Sequence, residues 1–187
     1  MNLSARLSPV VALTAAVLMS CADSTGPTTT DQEIEPDILA SLGQNPVMQS
    51  ATGSGQYHTL SGLWRTFSFN GTSKADGTAR GRFHFRIHDA QGEGSRIWGD
   101  ITCLTIEGNQ AWLAGYVTKA GNPNHVGRAH GFRVVDNGQG QNATPDQITV
   151  TWPGTSDPTF VQPDEYCENK PSQTLHTVES GNVQIHP

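Results

Sequence analysis

Five side chains able to hold an anion recur at every second position of one short run: Arg80, Arg82, His84, Arg86 and His88 in "RGRFHFRIH". Successive residues of a β-strand point to opposite faces. As a strand, this run sends all five to one side and Phe83, Phe85 and Ile87 to the other. Guanidinium groups are planar donors suited to carboxylate, sulfate or phosphate, and imidazoles acquire charge below about pH 6.5. The chain carries a formal net charge of −6, so a basic stripe is a local feature and not a reflection of composition. Arg82, His84, Arg86 and His88 are the candidate anion-binding residues, with Arg65 and Arg96 close enough in neighbouring segments to add to them. The same pattern also describes a solvated strand face whose charges discourage edge-to-edge pairing.

Other chemistry finds less support. His84 and His88 are four strand residues apart, about 13 Å, too far to share one ion that bonds imidazole nitrogen at about 2 Å. His58, His125, His130, His176 and His186 show no ligand spacing, and neither C-x-x-C nor H-E-x-x-H occurs. No metal site of that kind and no cofactor is expected. The loop from Asp136 to Asp146, "DNGQGQNATPD", is rich in oxygen ligands. Calcium takes about six to eight oxygens, but this loop offers two carboxylates, and Asn-Gly is equally what a tight turn requires. There is no nucleophile elbow, no phosphate-binding glycine loop and no carboxylate pair that could be nominated as acid and base. Trp64, Trp98, Trp112 and Trp152 could form a sugar platform if the Ile, Leu and Val side of the strands is the core, or could be core themselves. Core packing is the expectation.

These residues need strands to position them. From about Tyr57 to His186, glycine and asparagine punctuate runs that alternate apolar and polar residues, the strand period. Phe67 and Phe69 share a side, as do Ile97, Ile101 and Cys103 in "RIWGDITCLTIE". Gly108-Asn109 is a tight-turn signal joining that strand to "AWLAGYVT". No segment here carries a helical period. The expectation is an all-β antiparallel meander of long strands, a small closed or nearly closed barrel with the last strand beside the first. A two-sheet sandwich is the alternative.

The first residues bear on location. A short start with one cation, Arg6, precedes the apolar run "VVALTAAVLM" from Val10 to Met19. A membrane span needs about 20 such residues, so the pattern is that of an export signal. Leu18-Met19-Ser20-Cys21 resembles the bacterial lipobox, which implies lipidation of Cys21 and removal of residues 1–20. Residue 22 is alanine and not aspartate, which favours the outer membrane or the cell surface over inner-membrane retention. Residues 21–55 then read as an acidic, disordered tether. Asp23, Asp31, Glu33, Glu35 and Asp37 occur there without a lysine or arginine. Residues 56–187 form the folded domain.

With Cys21 lipidated in an exported chain, Cys103 and Cys167 are the thiols left to pair. Their bond would staple the proline-rich segment around Cys167 to a central strand. "FSFNGTSKADGTARGRFHFRIHD", "DITCLTIEGNQAWLAGYVT", "GFRVVDNGQGQNATPDQI" and the terminal "GNVQIH" together resemble the post-COAP family of bacterial secreted β domains, over about residues 60–187. The resemblance implies export and an all-β fold, and it brings no assigned activity. Where relatives carry Gly-Glu-Pro-Gly after the Asp-Asn, this chain has Gly138-Gln139-Gly140-Gln141, so a role needing that acid does not transfer. The functional expectation is a lipid-anchored binding or structural surface module. Its partners would be the membrane at Cys21 and a polysaccharide or anionic polymer, with no nucleic acid. An enzyme acting on a small ligand in a barrel mouth is the alternative.

Overall fold

A computed structural model describes residues 47–88, 94–140, 142–149 and 162–187. Cys21, the apolar leader and the acidic stretch up to residue 46 lie outside the described residues, as does Trp152. Six long strands follow in a meander: β1 (Val47–His58), β2 (Trp64–Lys74), β3 (Ala79–Ile87), β4 (Arg96–Glu107), β5 (Gln110–Ala120) and β6 (Ala129–Val135). Two short strands, β7 (Gln147–Ile148) and β8 (His176–Thr177), and a final β9 (Ser180–His186) complete one nine-stranded antiparallel sheet. Its order is β8-β7-β6-β5-β4-β3-β2-β1-β9, and it curls into a half-barrel. One sheet, not two, is present among the described residues, which removes the sandwich.

Local sequence explains the meander. Gly108 has φ of +58°, and with Asn109 it makes the two-residue connection between Glu107 and Gln110. Glycine at the first central position is what a type II′ hairpin turn asks for. At the β2–β3 turn, Asp76 Oδ1 accepts from the Thr78 N–H (2.9 Å) and hydroxyl (2.6 Å). The inner face then collects the apolar half of each alternation: Phe67, Phe69, Phe83, Phe85, Leu113 and Phe132 are all buried. Phe132 meets Phe69 and Phe85 edge-on, each with ring centroids 5.1 Å apart. Each such side chain contributes roughly 1.5–3 kcal/mol by leaving water.

Three features depart from the expectation. Residues 47–55, assigned to the tether, belong to β1, which pairs with β2 along its length and with β9 on its other side. Gly53 and Gly55, with Ser54 between them, carry no hydrophobic signal, because in β1 the two glycines serve as a thin backbone against which the Phe69 and Phe67 rings pack. The last strand lies beside the first, as expected, the first being β1. A helix, α1 (Pro163–Asn169), stands in the proline-rich segment where none was expected. Pro163 takes its first turn with Asp164 and Glu165 beside it, and Lys170 ends it at φ of +47°. Finally, a register shift between Ile101 and Cys103 carries Cys103 to the outer face, away from Ile97 and Ile101. A β-bulge re-aims a side chain in this way. Here it places the Cys103 sulfur 1.95 Å from that of Cys167.

That bond fastens α1 to the outside of the sheet. Cys103, Trp112, Ala114, Tyr166 and Cys167 form a second small core there. Gly131 lets Tyr166 lie flat, since a Cβ would come 2.8 Å from its ring. The Trp112 indole N–H donates to the Pro171 carbonyl at 3.3 Å.

Candidate binding groove on the outer face

Beside the α1 strap, the outer face of β2–β5 is open to solvent. Register stacks its side chains into rows that run across the strands. One row is Ser68, His84, Trp98 and Lys119. The next is Asn70, Arg82 and Asp100. Rows two residues apart on a strand stand about 7 Å from each other. The channel between these two is a groove of about 800 Å³ lined by both, with Thr118 at its β5 end. Gly99 lies between the rows, and a Cβ there would come within 2.1 Å of the Phe83 ring. A register shift opposite Trp98 and Gly99 turns both Thr118 and Lys119 outward.

The walls differ in character. His84 stacks on Trp98 (centroids 4.8 Å apart, planes 12° from parallel), and the Lys119 ammonium lies 5.0 Å from the same ring. With an imidazole from β3 on one flank and an ammonium from β5 on the other, the indole presents its edge to the groove. It is therefore not an open stacking platform. On the opposite wall, the Asn70 Oδ1 accepts the Arg82 backbone N–H (3.1 Å), leaving its NH2 as a donor. Arg82 and Asp100 approach only to 3.9 Å, with side chains 87% and 61% exposed. An exposed pair at that distance holds its members weakly, so both remain available to a ligand.

The expected stripe is therefore split by the fold. Arg80 and Arg82 are exposed, and His84 and Arg86 are half-buried on the same outer face, with Arg96 directly opposite Arg86. His88 is a correction: it is 9% exposed and stacked on Trp64 with centroids 4.4 Å apart, so it is no surface ligand. Phe83, Phe85 and Ile87 are buried, as alternation demands. Burial first, then the Arg96 and Arg86 guanidinium groups, hold the His84 imidazole below its ordinary value, so it is uncharged at neutral pH. The tryptophans also correct the expectation of core packing. The Ile, Leu and Val side is the core, and Trp98 and Trp64 stand outside it, while Trp112 is buried beneath α1. Ser68, Asn70, Asp100 and Lys119 were not singled out from sequence. Asp100 alternates with Trp98 and could have been placed on its face. Which strand each residue sits beside required the pairing.

Arg65 is a second correction to the basic surface. It turns inward and is buried, opposite Tyr57 on β1. Burial pushes the Tyr57 phenol up to about 12, opposed by the Arg65 charge. Close by in the interior, His130 is fully buried against Phe83 and Phe85 (5.2 and 5.3 Å), and neither ring nitrogen meets a hydrogen-bond partner. Its imidazole is lowered to about 3 by burial, with the Arg65 charge adding to the effect.

The Asp136–Asp146 loop uses its carboxylates on the protein itself. Asp146 accepts backbone N–H bonds from Asn137 (2.9 Å) and Val183 (2.7 Å), and Asp136 accepts from Gly138 (2.8 Å) and Ile185 (3.0 Å). The Asp-Asn-Gly turn and the terminal Gly-Asn-Val-Gln-Ile-His strand are thus one device, in which two carboxylates cap the free edge of β9. Among the described residues no group of three His, Cys, Asp or Glu is placed to hold a metal ion. In comparisons with protein-family models, curated proteins and solved structures, none matches the chain.

Proposed function

We propose that this chain is an exported, lipid-anchored envelope protein whose β domain is a binding module. Its site is the transverse groove of β2–β5, and its ligand is an extended, hydroxyl-rich polymer. The observation that carries the reading is the pair of polar rows across four strands, Ser68-His84-Trp98-Lys119 and Asn70-Arg82-Asp100, with donors and an acceptor facing one groove. A groove that crosses strands and is open along its length suits a chain passing through better than a small molecule enclosed. Cys21 supplies the anchor at the outer membrane or cell surface, and the acidic residues after it hold the domain clear of the bilayer. The resemblance to secreted β domains supports export. Closure of the half-barrel into a barrel is the finer reading of the fold, supported by the C-terminal segment, whose Val178 N–H bonds the Asp146 carbonyl and whose Glu179 N–H bonds that of Gln56.

The test is retention of the full chain on immobilised acidic polymers, compared with the Arg82→Ala variant. The parent is retained and the variant is not, with stability within about 0.5 kcal/mol of the parent because the Arg82 side chain is exposed. Retention falls as salt rises from 0.1 to 1 M, where the Debye length shrinks from about 10 to about 3 Å. Equal retention of both proteins on every polymer removes the groove from consideration. A second reading, a small ligand taken into the mouth of the half-barrel, draws on the inward Tyr57, Arg65 and His130. The aromatic filling of the core around His130 favours the groove.

A further inference from the structure

The balance of charge in the groove identifies the kind of polymer. Its fixed charges at neutral pH are Arg82 and Lys119 against Asp100, with His84 uncharged and Ser68, Asn70 and Thr118 supplying neutral hydrogen-bonding groups. One net positive charge is spread over a groove that spans three inter-strand steps, roughly 14 Å. A polymer with a phosphate at every unit would place several negative charges in that length, and one would face the Asp100 carboxylate. Like charges brought together at a contact cost several kcal/mol of discrimination. A neutral glycan would leave Arg82, 87% exposed and only loosely engaged by Asp100, without the anion its planar fork fits.

We infer that the groove takes an acidic polysaccharide, a chain of sugars bearing a carboxylate on some units and hydroxyls on all. Arg82 grips the carboxylate, and Lys119 at the far end of the opposite wall takes a second. Asp100 and the Asn70 NH2 hydrogen-bond the hydroxyls between, and the edge of Trp98 supplies an apolar lip. This assignment rests on the groove being the binding site, and its test is arranged so that the two can fail separately.

The full chain is measured by affinity electrophoresis against polygalacturonate, alginate and hyaluronate, against methyl-esterified polygalacturonate, and against inorganic polyphosphate, at one fixed ionic strength. The expected result is binding to hyaluronate, whose carboxylates fall on alternate sugars, at least as tight as to polygalacturonate or alginate, which carry one on every sugar, and about tenfold weaker binding to the ester and to polyphosphate. Arg82→Gln removes most of the affinity for the bound carboxylated glycan, and Asp100→Asn raises the affinity for polyphosphate. Both substitutions are on exposed side chains, and an unchanged melting temperature verifies the fold. Polyphosphate binding at least as tightly as every carboxylated glycan, with Arg82→Gln still weakening it, overturns the acidic-glycan assignment and leaves the groove standing. Binding to a carboxylated glycan that is indifferent to Arg82→Gln, Asp100→Asn and Trp98→Ala alike overturns the groove itself. Binding to none of the five polymers overturns both.

Discussion

Acidification should destabilise this domain well before its carboxylates titrate, and His130 is the main cause. Its imidazole is lowered from 6.5 to about 3 in the folded chain, because no ring nitrogen finds a partner and Phe83 and Phe85 pack against it. Below pH 6.5 the unfolded chain takes up a proton at this residue that the folded chain refuses. The unfolded state then binds more protons, so stability rises with pH and is lost as pH falls, by up to about 1.4 kcal/mol per pH unit. Between neutrality and pH 5 the loss is about 2 kcal/mol, and it continues down to the folded value near 3. Folded domains have only about 5–15 kcal/mol to lose, and about 2 kcal/mol corresponds to a fall of roughly 4–8 °C in Tm at this chain length. His84 and His176 are lowered too, chiefly by burial, and act in the same direction, so the parent slope exceeds that of a single proton. The assay is urea unfolding of the full chain at half-unit steps from pH 7.5 to 5, a range above the ordinary carboxylate values. His130→Phe keeps a ring among Phe83, Phe85 and Phe132 and removes one proton from the slope, leaving the variant at least as stable as the parent at pH 5. Direct titration of the His130 ring by NMR gives a second reading that does not depend on the variant folding. An unchanged slope in His130→Phe, or a His130 ring titrating near 6.5, refutes the reasoning.

Other consequences are as specific. Cys167→Ala opens a loop of 64 residues, which the chain-entropy relation puts at about 4 kcal/mol; equal urea midpoints for variant and parent, both unreduced, would count against the staple. Asp146→Ala strips the Asn137 and Val183 N–H groups of their acceptor. At about 1.5–3 kcal/mol for a bond to a charged group, it should cost about 3 kcal/mol and speed hydrogen exchange at Val183. Because the Asp136 and Asp146 carboxylates are engaged by backbone, adding millimolar calcium or a chelator should leave Tm unchanged; a calcium-dependent rise would mean the loop is a metal site after all. Cys21→Ser should abolish partitioning of the exported protein into detergent, and unchanged partitioning and processing would remove the lipid anchor.

What the sequence determined by itself is the side of each strand that faces in. Alternation of Phe83, Phe85 and Ile87 with arginine and histidine has only one stable orientation when one face must leave water, and the structure keeps it. The Gly108-Asn109 turn was readable because a positive φ at that point admits few residues, and the pairing of Cys103 with Cys167 followed once Cys21 was set aside. Tertiary structure alone decided the rest. β1 could not be seen, since Gly53 and Gly55 let neighbouring rings approach and carry no hydrophobic side chain. The bulge that turns Cys103 outward, the helix it holds and the inward course of Arg65 depend on neighbours distant in sequence. The groove is the clearest instance. Ser68, His84, Trp98 and Lys119 share no motif, because what joins them is the hydrogen-bonded register of four strands, and register is a property of pairs of segments and not of any one of them.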